Sequence, residues 1–87
     1  MATMSPEDEA TAHLLVAAAF HDAAASADER GDSSVGDFSR AVLRQFEEHQ
    51  HLEGALYAVV MKYAQEHAQP EEVAALRRWM AEVTGRG

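Results

Sequence analysis

The chain has 87 residues, with 15 Asp and Glu against 7 Lys and Arg for a net charge of −8, and it contains no cysteine. This length fits one domain with a small core, since a chain of this size buries only about 60% of the surface that its unfolded form exposes. The lack of thiols excludes disulfides, thiolate metal sites and cysteine nucleophiles, and the acidity opposes sequence-independent binding to nucleic acid or an anionic membrane.

Alanine supplies 18 of the residues, isoleucine is missing, and the two prolines, Pro6 and Pro70, stand where helices would begin. Ala, Leu, Glu, Gln, Arg and Met lose least entropy on entering a helix, so the expected fold class is all-α. The first helix is predicted over residues 5–29. Ser5 can act as N-cap, Pro6 suits the first helical position, and Glu7, Asp8 and Glu9 lie at the positive end of the helix dipole. The run Arg30-Gly31-Asp32-Ser33-Ser34-Val35-Gly36 reads as a seven-residue loop that returns the chain antiparallel. Its Asp-Ser step is similar to the phosphopantetheine-bearing Asp-Ser of acyl carrier proteins. A capping role fits better, because one long helix follows it rather than that family's short ones.

Phe38, Val42, Gln45, His49, Leu52, Leu56, Val59 and Tyr63 recur in alternating steps of four and three, a stripe predicting one helix over residues 37–68. Such a helix would extend about 45 Å at 1.5 Å per residue. A break near Gly54, giving two shorter helices, is the alternative. Gln69-Pro70-Glu71-Glu72 starts a further helix over residues 70–84, with Val73, Leu76, Met80 and Val83 as its apolar stripe and Trp79 beside it. The expected architecture is therefore a hairpin of two long helices plus a shorter third, as a single domain over residues 1–87. The long stripe would outrun its neighbours, so dimerisation is expected to complete the bundle.

Polar residues interrupt the apolar faces. Gln45 and His49 fall on the seam of the long helix, Glu53 lies one turn beyond His49, and His13 and His21 sit on or beside the apolar face of the first helix. In a symmetric hairpin His13 would meet Glu53, and His21 would meet Gln45 or His49. Imidazole and carboxylate in one layer are the donors that iron or zinc would take. Polar seam residues also serve simply to fix register and oligomer state. Glu48 and His51 form a Glu-x-x-His pair like that of ferritin-like bundles, but on a continuous helix they point away from the stripe. Arg77-Arg78-Trp79-Met80 is a basic patch with an aromatic residue, suited to an acidic protein partner.

His13 followed by His49-x-x-x-Glu53 and Ala55-Leu56-Tyr57 resembles the first half of a hemerythrin-like cation-binding domain. That resemblance implies a four-helix bundle holding non-haem iron, with His13, His49 and Glu53 as ligands and Glu53 as the bridging carboxylate. His21 would lie nearby. The third helix departs from that pattern, carrying Val83 near the place of the next His, so one chain would supply half a site and a dimer the whole.

Two functions follow as expectations. The first is a small, acidic, non-catalytic helical module, cytoplasmic, acting through protein contacts and self-associating. The alternative is a hemerythrin-like or ferritin-like iron protein whose site is shared across a dimer. No apolar run reaches the ~18–20 residues that span a bilayer, and Pro6-Glu7-Asp8-Glu9 is unlike a targeting peptide.

Overall fold

The computed structural model describes residues 5–50 and 52–85 and contains four helices, with no strand among the described residues. They are α1 (Pro6–Arg30), α2 (Ser33–His49), α3 (Gly54–His67) and α4 (Pro70–Gly85). Pro6 and Pro70 both stand at the first helical position, where the absent N–H has no intrahelical partner to lose. Ser5 precedes α1 in extended conformation, but its hydroxyl makes no cap hydrogen bond.

The turn after α1 is shorter than the seven residues expected. Gly31 takes a left-handed conformation (φ 72°) and ends α1, while the Asp32 carboxylate accepts a hydrogen bond from the Val35 N–H at 3.2 Å and starts α2 at Ser33. Asp32 is therefore a helix cap, and Ser33 to Gly36 belong to the first turn of α2.

The single helix expected over residues 37–68 is corrected to two, the alternative of a break near Gly54 being the one the structure takes. α2 stops at His49, Gln50 adopts a left-handed φ of 52°, and Glu53 becomes the N-cap of α3. Burial explains the break. α1 is 25 residues, about 37 Å, so an unbroken partner of about 45 Å would leave Tyr57, Val60 and Ala64 without cover. Turning at residues 50–53 buries all three together with Leu52. Placing a non-glycine residue in the left-handed region costs about 1–2 kcal/mol, whereas burying one leucine contributes about 1.5–3 kcal/mol.

α1 is the spine. α2, α3 and α4 all pack on it, α3 and α4 also pack on each other, and no Cα of α2 comes within 8 Å of a Cα of α3. The core draws on every element, with Leu15, Val16 and Phe20 from α1, Val42, Leu43 and Phe46 from α2, Leu52 and Val60 on the α3 side, and Leu76 and Trp79 from α4. Asp8 ties the start of α1 to α4, accepting from Arg78 Nε at 2.7 Å and Nη2 at 2.9 Å. These hydrogen bonds hold the Asp8 carboxyl below its ordinary value. Arg40 of α2 reaches Asp28 of α1 at 3.2 Å and Asp37 at 3.1 Å. The two Arg40 pairs are exposed on both sides and contribute little stability, whereas the Asp8 side chain of the Arg78 pair is only 19% exposed.

Candidate functional site

The four residues expected as metal ligands occupy separate places. His13 is half-buried on α1, His21 is exposed on α1, His49 is exposed at the end of α2, and Glu53 is exposed at the start of α3. Among the described residues no three His, Asp or Glu side chains are grouped so as to hold a metal ion. His49 has Glu48 beside it, Nε2 to Oε2 at 3.7 Å, and His51 lies outside the described residues. The two-residue turn and the break at Gln50 account for this arrangement. Shortening the turn slides the hairpin so that His13 meets Phe46 rather than Glu53, and the break carries Glu53 off the helix that holds His49.

His13 instead joins an aromatic cluster. Its ring stands edge-on to Phe46 at 5.0 Å and to Trp79 at 5.7 Å. Phe46 and Trp79 meet at 6.0 Å, and Tyr57 packs on Trp79 at 5.8 Å. One ring each from α1, α2 and α3 thus converges on Trp79 of α4, which is 2% exposed. Edge-to-face pairs of this kind contribute about 0.5–1.5 kcal/mol each beyond the area they bury. Burial pushes the Tyr57 phenol above its ordinary value, opposed by a hydrogen bond to the Leu52 backbone. A shallow cleft of about 300 Å³ opens beside His13, lined also by Ala17, Phe46, Glu47 and Gln50. The basic patch expected at residues 77–80 is taken up by the fold, with Arg78 held by Asp8 and Trp79 in the core.

The larger opening lies where α2 and α3 diverge. Phe38, Ala41, Val42 and Gln45 form one wall, and Leu52, Glu53, Ala55 and Leu56 form the other, enclosing a groove of about 420 Å³. Phe38 is 56% exposed on the α2 side. Val59, one turn beyond Ala55, is 43% exposed and continues the α3 wall outward. Folding leaves these two side chains unfinished because α1 can cover only one face of α2 and of α3. Polar atoms in the groove are few: the Gln45 amide and the Glu53 carboxylate, the latter making no cap hydrogen bond to α3. A groove of this character can bury apolar side chains and orient them by one or two polar contacts.

Phe38, Gln45, Leu56 and Val59 were all legible as one stripe in the sequence. Its division into two walls was signalled only by Gly54, since the stripe itself runs unbroken through the turn. The left-handed Gln50 carries no glycine or asparagine signal, and Gly54 proves to start α3 rather than to end α2. Comparison with protein-family models, with curated proteins and with solved structures gives no match for this chain.

Proposed function

We propose that the chain is a helical module that works through protein–protein contacts made at the α2–α3 groove. The observation that carries this reading is the groove itself, a concave apolar surface of about 420 Å³ flanked by the half-exposed Phe38 and Val59. Scattered apolar residues on a surface need no explanation, but a contiguous concave set rimmed by polar residues is the usual mark of a binding surface. Helix-in-groove recognition, in which a partner lays an apolar helical face between two helices, matches the shape. Self-association is the form of this reading in which the partner is a second copy.

Photo-crosslinking in the native cell tests it. A photoreactive phenylalanine analogue at Phe38 should give discrete adducts, while the same group at Leu14, which is 72% exposed away from the groove, should give none. An adduct at twice the chain mass would identify the partner as a second copy. The same diffuse background at both positions would overturn the reading.

A further inference from the structure

We infer that the α2–α3 groove docks a basic amphipathic helix from a partner protein, with apolar anchors on Phe38, Leu56 and Val59 and a Lys or Arg at the Glu53 end. The inference rests on the protein-contact reading and names the chemistry of the partner. Charge selects among the occupants. The chain carries −8, so a second copy would bring eight like charges toward the same surface, whereas a basic helix gains from the whole field as well as from the groove.

The groove adds its own preference. Glu53 stands on its wall with no cap hydrogen bond committing the carboxylate to α3. Among the described residues that line the groove, Glu53 is the one that carries a charge, so the local field inside it has the same sign as that of the whole chain. An incoming helix would present apolar residues at i, i+3, i+4 and i+7, the spacing that two diverging walls accept. The Gln45 amide, on the same wall as Phe38, offers a hydrogen bond for orienting that helix.

Three synthetic helical peptides with one shared Leu face, and with Lys/Arg, Gln/Ser or Glu elsewhere, test this by fluorescence anisotropy against the full chain. The basic peptide should bind about tenfold or more tightly than the acidic one, with the difference shrinking as salt screens the field. Phe38→Ser should weaken all binding, whereas Glu53→Gln should weaken the basic peptide and leave the Gln/Ser peptide unchanged. Circular dichroism matching the parent chain confirms that both variants remain folded. Equal affinity for the three peptides, or a Glu53→Gln variant that binds the basic peptide as tightly as the parent, overturns the charge assignment while leaving the groove as a docking surface. Binding by none of them, with sedimentation showing association lost in Phe38→Ser, assigns the groove to a second copy and overturns the inference. Binding by none, with no association, overturns the protein-contact reading as well.

Discussion

Replacing Gln50 with glycine separates the two-helix arrangement of residues 33–67 from a continuous helix by the sign of its effect. Gln50 sits at φ 52° and ψ 38°, and its N–H donates to the Phe46 carbonyl at 2.7 Å as the C-cap of α2. A side chain in that region costs about 1–2 kcal/mol, of which the greater freedom of unfolded glycine returns about 0.5–1 kcal/mol. Gln50→Gly should therefore stabilise the chain by up to about 1.5 kcal/mol, at about 4–8 °C in Tm for each kcal/mol in a domain of this size. In an unbroken helix the same change would cost about 1 kcal/mol. Urea and thermal unfolding followed by circular dichroism at 222 nm read the difference. A lower midpoint in Gln50→Gly would refute the break, and with it the groove that the break creates.

Other expectations follow from the same packing. Trp79→Ala removes the ring on which all four helices converge and should cost about 3–5 kcal/mol, enough to leave much of a marginally stable domain unfolded in a urea titration. Asp32→Ala should cost about 1 kcal/mol by removing the cap on Val35, with Asp32→Asn close to the parent chain in urea midpoint. Asp8 has a lowered pKa in the folded chain, so its contribution is present above the ordinary value of 3.8 and is lost as pH falls through the depressed folded value. Asp8→Asn should accordingly narrow the gap between urea midpoints at neutral and strongly acid pH, and an unchanged gap would show that the Arg78 contact stabilises nothing. Phe38→Ser should change stability by about 1 kcal/mol or less, because the side chain is 56% exposed before any partner arrives. A much larger loss in thermal unfolding would mark Phe38 as a core residue and not a docking one.

Much of the architecture follows from local chemistry. Pro6 with its three acids and Pro70 with Glu71 and Glu72 set the starts of α1 and α4. The Glu72 carboxylate accepts from the Gln69 N–H at 2.8 Å, one half of a capping box. Gly31 and Asp32 end one helix and begin the next within two residues, a tighter turn than a Gly- and Ser-rich run suggests, because Ser33, Ser34 and Gly36 are all tolerated in a first turn. The break at residues 50–53 has only Gly54 as a local signal, too weak by itself to choose between one helix and two. It is decided by what α1 can cover, a tertiary effect, and Leu52 at 2% exposure shows the outcome. The same effect places His13 and His21 on α1, His49 at the end of α2 and Glu53 at the start of α3, because helical spacing places side chains on a face while only the turns decide which faces meet. The groove inherits its residues from the stripe and its shape from the break.

The most direct test of the docking surface is a map of backbone amide shifts as the basic amphipathic peptide is added to the isotopically labelled chain. The largest changes should cluster at Phe38, Gln45, Glu53, Leu56 and Val59 and be weak around Leu14. Changes centred on the His13 cleft, on the exposed face of α1 or spread evenly over the chain would contradict docking at the groove.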